Sequence, residues 1–237
     1  MKTITTTCLL AVLASLAGTA GAEEASPVTA NLTLTSKYKY RGQDQANTEA
    51  VTPAVQGGFD YSNSGFYVGN WNSSIGFTNS GLEMDFYGGY KGSITKDLGY
   101  DVGVLQYYYP QQDKVVDFNT TEIYGAMSFG PASAKLSYTV SDKYFGIEGG
   151  KGTLYGDLSA NFELIPKLTL NLHVGGTSFD SEAKDNGAAN YWDYKVGLTY
   201  DIGAGFSAAG AYVGGTKTDH YGDINKGRLI VSITKSM

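Results

Sequence analysis

The chain has 237 residues, of which 17% are charged and 13% aromatic, and it contains 32 glycines and 19 tyrosines. Charged residues are scarcer than the roughly 25% typical of soluble domains, and the formal net charge of −6 makes nucleic acid a poor partner. The mean hydropathy of −0.20 is that of a soluble protein, but strands that alternate apolar and polar residues give the same average.

Residues 1–22 are predicted to be a cleaved secretory signal peptide. Lys2 precedes a short apolar run from Cys8 to Ala17, and Ala20-Gly21-Ala22 supplies small residues at a cleavage site. The run is shorter than the roughly 20 apolar residues of a spanning helix. Cys8 is the only cysteine, so the chain from residue 23 onward has no thiol. Its stability must come from burial and backbone pairing rather than disulfides.

The stretch from Ala30 to Arg41 alternates without a break. Leu32 and Leu34 fall on one face, while Thr33 and Thr35 fall on the other. A period of two indicates a strand whose faces meet two different solvents. The same pattern recurs along the chain, and strands are predicted at 30–41, 54–61, 66–77, 82–91, 98–109, 120–129, 134–141, 153–164, 168–175, 191–201, 205–213 and 228–237.

Long polar loops are predicted after the first, fifth, ninth and eleventh strands, and short turns after the second, sixth, eighth and tenth. Short turns at one rim and longer loops at the other are typical of outer-membrane barrels. An even number of strands also closes the sheet without leaving an open edge in lipid. Residues 23–237 are therefore predicted to form an all-β, membrane-spanning, antiparallel up-and-down β-barrel of about 12 strands.

Two expectations concern the aromatic side chains. In the third strand the alternation places Tyr67 and Trp71 on the outward face and Asn70 and Asn72 on the inward face, although Phe66 and Val68 share the inward phase. Most tyrosines elsewhere have the outward phase. They are predicted to contact lipid and to form the girdles found at membrane interfaces.

The inward phase carries many charged and polar side chains, which would be costly to bury in a dry core but suit a wet lumen. The candidates for a pore lining are Lys37, Lys39, Arg41, Gln56, Asp60, Glu83, Asp85, Tyr87, Glu122, Tyr124, Lys135, Asp157, Glu163, His173, Asp193, Lys195 and Arg228. These side chains either line an open mixed-charge channel or pair across the barrel and plug it.

Lys37, Lys39 and Arg41 share one face of the first predicted strand. They form an anion-attracting ladder if unpaired. Given the acidic net charge, neutralisation by carboxylates on neighbouring strands is the favoured alternative. Twelve strands lie between the roughly eight whose interiors fill with side chains and the 16 to 18 that enclose a wide channel, so any pore should be narrow.

Several segments resemble a known family: Tyr38 to Gly42, Gln56 to Tyr61, Asp85 to Tyr90, Gly99 to Gly103, Tyr107 to Pro110, Asp117 to Glu122 and Lys195 to Thr199. In their order and spacing they are similar to the TorF family of porins of proteobacteria. The resemblance implies an outer-membrane β-barrel and a passive pore in a Gram-negative bacterium. It implies no assigned substrate or binding residues.

The expected function is passive diffusion of small polar or charged solutes or ions through a narrow mixed-charge lumen. Outer-membrane lipid is the expected surrounding partner. The C-terminal segment Arg228 to Met237 is expected to engage the barrel-assembly machinery, although barrels of this class usually finish on an aromatic residue and this chain ends on Met237. Catalytic residues, cofactors and metal ligands are not predicted.

Four alternatives stay open at this stage. A plugged structural or loop-binding barrel would use the same fold without transport. An outer-membrane lipid hydrolase would need a histidine beside a serine on the lipid face, but His173 has the inward phase and His220 lies in a loop. The acidic loop around Asp180, Glu182 and Asp185 could bind a divalent cation, but its spacing matches no known motif. A soluble β-barrel or sandwich would bury the apolar face instead.

Overall fold

A computed structural model describes residues 26–46, 52–110 and 116–237. The described residues form one closed antiparallel barrel of twelve strands, in which every strand pairs with its neighbours along the chain and the first strand pairs with the last. This confirms the predicted up-and-down barrel. A two-stranded hairpin is the remaining sheet of the described part.

The barrel strands have lengths of 8 to 13 residues, consistent with tilted strands that cross a bilayer. They are β1 (Val28–Thr35), β4 (Ala54–Asn63), β5 (Phe66–Ser74), β6 (Leu82–Ser93), β7 (Leu98–Tyr108), β8 (Thr120–Phe129), β9 (Ala132–Thr139), β10 (Leu154–Ile165), β11 (Leu168–Ser178), β12 (Tyr191–Gly203), β13 (Phe206–Gly215) and β14 (Arg228–Ser236). The hairpin consists of β2 (Lys39–Tyr40) and β3 (Gln43–Asp44).

The two faces of the barrel wall have opposite chemistry. Large apolar side chains point outward and are exposed, as Leu229 and Phe59 illustrate with exposed fractions of 74% and 64%. Inward-facing polar and charged side chains are buried, and Glu122 and Asp193 are only 1% and 2% exposed. A soluble barrel or sandwich would bury the apolar face, so this arrangement excludes that alternative. It is the arrangement of barrels that face lipid.

The two rims differ in the length of their connections. The predicted short turns after the second, sixth, eighth and tenth barrel strands are present, as are the longer connections after the first, fifth, ninth and eleventh. The loop predicted over Asp180 to Asn190 is not wholly irregular, because it contains a short helix, α1 (Ser181–Asp185). A second helix, α2 (Thr218–Tyr221), and a 3-10 turn (Gly222–Asn225) precede β14.

Among the described residues, no helix is long and apolar enough to cross a bilayer.

The first predicted strand is too long. Strand β1 ends at Thr35, and the chain from Ser36 to Ala46 leaves the wall and folds into the barrel. The alternation of apolar and polar residues continues past Thr35 because the segment that follows is also extended and includes β2. Lys37, Lys39 and Arg41 therefore lie on an inward-folded segment and do not form a ladder on the wall.

The predicted phase of the third strand, β5, is wrong. Tyr67 and Trp71 face the interior and are buried, whereas Phe66 and Val68 face outward and are exposed. As a consequence, Asn70 and Asn72 lie on the outer face.

The outward amide nitrogens of β5 are hydrogen-bonded locally. Asn70 Nδ2 donates to the backbone oxygen of Asp85 at 3.1 Å, and Asn72 Nδ2 donates to Asn70 Oδ1 at 2.6 Å. Since hydrogen-bonded amides cost less to place in an apolar setting, β5 tolerates a polar outer stripe that simple alternation would exclude.

The prediction that most tyrosines face outward is also wrong. Tyrosines such as Tyr107, Tyr109, Tyr124, Tyr155 and Tyr191 are buried inside the barrel, while a smaller group lies on the outer surface. A tyrosine has a large apolar ring and a hydroxyl that hydrogen-bonds, so it fills a polar lumen as well as it fills an interface. The position of a tyrosine in the alternating pattern therefore does not show whether it lies in the lumen or at the membrane interface.

Candidate functional site

The hairpin that folds into the barrel turns at Arg41 and Gly42, both of which have positive φ angles, 45° and 75°. Two-residue hairpin turns of the primed types require this conformation, and glycine adopts it without strain. The turn lies against the wall, since a Cβ on Gly42 would be 2.6 Å from the Cβ of Asp193. No other residue fits at this position without displacing the hairpin.

The basic side chains of the hairpin stem share one carboxylate. Asp44 Oδ1 is 3.0 Å from Lys39 Nζ, its cross-strand partner, and Asp44 Oδ2 is 3.3 Å from Lys37 Nζ. Lys39 Nζ also donates to the backbone oxygen of Ile224 at 2.7 Å. Burial lowers the pKa of Lys39, and Asp44 opposes that shift. The stem is thus held to itself and to the segment before β14.

Arg41, at the tip of the hairpin, reaches the wall. Its two terminal nitrogens each donate to one carboxylate oxygen of Glu122 on β8, both at 2.8 Å. The guanidinium also donates to the Tyr144 hydroxyl at 3.0 Å and lies 3.9 Å from the ring centre of Tyr155. A bidentate pair combined with ring stacking fixes both the position and the orientation of the tip.

Aromatic rings fill the space around the hairpin. The Tyr38 hydroxyl donates to Glu83 Oε1 at 2.9 Å, and the Tyr109 hydroxyl donates to Glu83 Oε2 at the same distance. The Tyr40 and Tyr107 hydroxyls also contact each other. Burial, with the nearby charges of Glu83 and Asp85, raises the pKa of Tyr38 well above its ordinary value. The long-loop end of the lumen is therefore closely packed around the hairpin.

Toward the short turns the lumen is lined by polar and charged side chains. His173 on β11 lies between two carboxylates, with Nδ1 2.8 Å from Asp157 and Nε2 2.6 Å from Asp193. Lys135 Nζ lies 4.0 Å from the ring centre of Tyr124. The side chains of Lys135, His173 and Lys195, the last on β12, face the interior space and keep partial exposure to it.

The structure places most of the predicted lining residues on the inner wall. Gln56, Asp60, Glu83, Asp85, Tyr87, Glu122, Tyr124, Lys135, Asp157, His173, Asp193 and Lys195 face the lumen from the strands. Arg228 also faces inward, with Nε 3.9 Å from Asp44 Oδ2. Glu163 has the inward phase but is exposed at the short-turn rim, so it does not lie inside the lumen as predicted.

Sequence reasoning missed Asp44, which neutralises Lys37 and Lys39, and the tyrosines that hydrogen-bond the wall carboxylates. A signal for Asp44 was present. In Lys39-Tyr40-Arg41-Gly42-Gln43-Asp44, a two-residue turn at Arg41-Gly42 places Lys39 directly opposite Asp44. The favoured alternative for the basic cluster, neutralisation by acids on neighbouring strands, describes Arg41, which pairs with Glu122 on β8, whereas Lys37 and Lys39 pair with Asp44 inside their own hairpin.

Two minor site hypotheses can be located. His173 Nδ1 lies 3.3 Å from Ser159 Oγ, but on the lumen face and with both ring nitrogens beside carboxylates, not on the lipid face that a lipid hydrolase requires. Asp180 caps α1, accepting from Ser181 Oγ at 3.0 Å and from the Glu182 amide at 3.3 Å. Within the described residues no group of three or more metal-ligating side chains is positioned to hold a metal ion.

A closed twelve-stranded barrel with an apolar outer face and a charged, hydrogen-bonded interior defines the class of porin-like β-barrels. Within that class the chain belongs to a family described as bacterial protein of unknown function (Gcw_chp), whose family model matches residues 19–236.

Solved structures share the fold. The chain is similar to the KdgM porin, with 12% identity over 88% of this chain and 99% of that one and a TM-score of 0.57. It is equally similar to the NanC porin, with 9% identity over 86% and 97% and a TM-score of 0.57. The KdgM porin in complex with disordered oligogalacturonate gives 11% identity over 89% and 98% and a TM-score of 0.53. Comparison with curated proteins found no match.

Proposed function

We propose that this protein is a porin-like channel of the Gram-negative outer membrane that passes small polar or charged solutes by passive diffusion. The observation that carries the proposal is the partition of side chains across the wall. Apolar residues face outward, and partly exposed charged groups such as Lys135, His173 and Lys195 face an enclosed interior. Such groups are stable in a lumen that holds water, and water gives small solutes a path.

The TorF-like segments and the export signal predicted at residues 1–22 support the same assignment. Both termini of the barrel lie at the short-turn rim, which in outer-membrane barrels faces the periplasm. The hairpin enters from the opposite rim, so it occupies the extracellular half of the lumen.

The last strand keeps its lipid-facing phase through Val231, Ile233 and Met237. That apolar stripe is the surface we propose for recognition by the barrel-assembly machinery.

The hairpin limits the size of the solutes that can pass. Its side chains Tyr38, Tyr40 and Arg41 fill the extracellular half of the lumen, and it is anchored to the wall at Glu122 and Glu83. Selectivity in such a pore follows from diameter and wall charge. We therefore propose a constricted channel for small solutes rather than a wide diffusion pore.

The charges of the lumen are distributed unevenly along its length. At the hairpin four basic side chains, those of Lys37, Lys39, Arg41 and Arg228, face the two carboxylates of Asp44 and Glu122. The remaining wall has six carboxylates, namely those of Asp60, Glu83, Asp85, Asp101, Asp157 and Asp193, against three lysines, Lys91, Lys135 and Lys195, and one histidine, His173. A polyanion such as the oligogalacturonate bound to the KdgM porin does not suit this wall.

The same hairpin contacts also favour a second candidate function, a barrel plugged by the hairpin that serves a structural or loop-binding role. Single-channel recording of the refolded protein in a planar lipid bilayer separates the two. Discrete conductance steps are expected for a channel. Heat-modifiable migration in gel electrophoresis verifies folding of the same sample. A folded barrel that never conducts would overturn the channel and leave the plugged barrel.

A further inference from the structure

The carboxylates around the hairpin are satisfied in different ways. Glu122 is paired with Arg41, whereas Glu83 accepts two hydrogen bonds from the hydroxyls of Tyr38 and Tyr109. A hydroxyl satisfies the hydrogen-bonding capacity of a carboxylate without cancelling its charge. Asp60 and Asp101 follow the Glu83 pattern, with tyrosine donors at 2.6 and 2.5 Å.

Asp85, two residues along β6 from Glu83, has neither kind of partner among the described residues. Its side chain faces the lumen and is only 7% exposed. Its Oδ1 atom has no hydrogen-bond partner, and its carboxylate forms no ion pair with any described residue. An unpaired carboxylate buried beside a second one is costly, and the cost is removed when a cation binds.

The neighbours of Asp85 suit a cation. In the strand register Asp85 lies between Trp71 on β5 and Tyr107 on β7, both inward-facing and buried. Tyr38 packs edge-on against Trp71, with ring centres 5.6 Å apart, and its hydroxyl bonds to Glu83. Carboxylates bordered by indole and phenol rings form the chemistry that holds alkali ions and ammonium groups.

We propose that Asp85, with Glu83 and the rings of Trp71 and Tyr107, forms a binding site for a monovalent cation or a primary ammonium group beside the hairpin. The site deepens the proposed channel function by naming the class of solute that pauses at the constriction. The binding itself needs no conduction, so the two claims fail separately.

Trp71 supplies the probe. The chain has two tryptophans, and the other, Trp192, is exposed on the outer face. Trp192→Phe therefore leaves Trp71 as the sole source of tryptophan fluorescence. The refolded Trp192→Phe protein is titrated in detergent with thallium(I) nitrate, a monovalent cation that quenches indole fluorescence. We expect saturable quenching that Asp85→Asn weakens by about tenfold or more, as expected for loss of a charged partner, and that Asp85→Glu largely restores.

Asp97→Asn is the control, because it removes a carboxylate that is exposed at the short-turn rim, and it should leave the quenching curve unchanged. Competition with sodium nitrate and with n-butylammonium nitrate, which keep thallium(I) in solution, then identifies the source of the cation: the better competitor is the preferred class. Linear, unsaturable quenching, or quenching equal in the Asp85→Asn protein, would overturn the site even if the protein conducts.

Discussion

The bidentate pair between Arg41 and Glu122 is the contact that holds the hairpin tip to the wall. The Glu122 side chain is buried, and within the described part of the chain it receives, besides Arg41, only a long contact from the Tyr107 hydroxyl at 3.5 Å. Removing one partner of such a pair leaves an uncompensated charge, which costs about 3–5 kcal/mol. Arg41 is therefore more important to the position of the hairpin than either stem lysine, since those two share Asp44.

The first prediction concerns replacement of Arg41. Arg41→Ala should release the hairpin, and Arg41→Lys should release it partly, because an ammonium cannot form two parallel hydrogen bonds to a carboxylate. Trypsin cleavage after Lys37 and Lys39, followed by mass spectrometry, measures the release. Lys96→Ala, which removes an exposed pair at the opposite rim, should cause no new cleavage. Equal protection of Lys39 in the Arg41→Ala protein would contradict the anchoring role.

The buried tyrosines around the hairpin predict a response to alkaline pH. Burial raises the pKa of Tyr38, of Tyr109 and of Tyr144, all of which lie in loops outside the barrel strands. An unperturbed tyrosine ionises near about pH 10. Because the folded pKa values are higher, the stabilisation from these neutral tyrosines is complete below about pH 10 and is lost as the pH rises through the folded pKa values.

Absorbance at 295 nm should therefore rise in two stages, and trypsin should begin to cleave the hairpin only in the second. Tyr38→Phe should reduce the amplitude of the second stage while the wall pairs at Glu122 keep the hairpin bound at neutral pH. A single ionisation stage near about pH 10 in a protein that keeps its barrel circular dichroism would argue against the packed tyrosine cluster.

At the scale of elements, the hairpin is separable from the barrel. The amide of Gln45 donates to the backbone oxygen of Tyr38 at 3.0 Å, so the chain closes on itself at the base of the hairpin. Replacing residues 39–44 with Asn-Gly joins these two positions by a tight turn. The ladder between β1 and β4 does not involve the excised residues.

We expect the excised protein to fold and to conduct several-fold better, because Arg41, which contacts Glu122, and the Tyr40 ring, which packs against Tyr107 of the wall, are gone. Single-channel conductance in a planar bilayer measures the change. Replacing Lys96 with glycine in a short turn serves as the control and should leave conductance unaltered. Unchanged conductance in the excised protein would locate the constriction elsewhere on the wall.

The elements also show which features could be predicted from sequence. Strand β8 was predicted at its observed bounds, and β10, β12 and β14 within a few residues, because lipid on one side and water on the other enforce strict alternation. The inward and outward faces of β5 were predicted the wrong way round, because Asn70 and Asn72 form local hydrogen bonds and can therefore lie on the outer face. The hairpin was not predicted because β2 continues the alternating pattern of β1. An alternating pattern looks the same whether the chain stays in the sheet or leaves it.

The candidate site was predictable only in part. The inward phase identified most of the lumen carboxylates and lysines, since charge is excluded from the lipid face. Pairing was not predictable, because Arg41 and Glu122 are far apart in sequence and meet only when the hairpin folds inward. The unpaired state of Asp85 likewise depends on which tyrosines reach Glu83 rather than its neighbour.

At the scale of the whole molecule, the arrangement of charge predicts only weak selectivity between cations and anions. Over the whole lumen, eight carboxylates, including those of Asp44 and Glu122, face seven lysine and arginine side chains, including those of the hairpin and Arg228, together with His173. A narrow pore with low-dielectric walls concentrates ions of opposite sign, and this concentration weakens as salt screens the wall.

Reversal potential under a potassium chloride gradient tests this expectation. Potassium and chloride should permeate with similar ease, and any small difference should fall at high salt. The double variant Asp60→Asn and Asp101→Asn should shift the selectivity toward chloride, because it removes two wall charges that have tyrosine donors rather than cationic partners. Asp97→Asn, which removes an exposed rim charge, should change the selectivity little. A strong preference for either ion in the unmodified protein would contradict the balanced charge of the lumen.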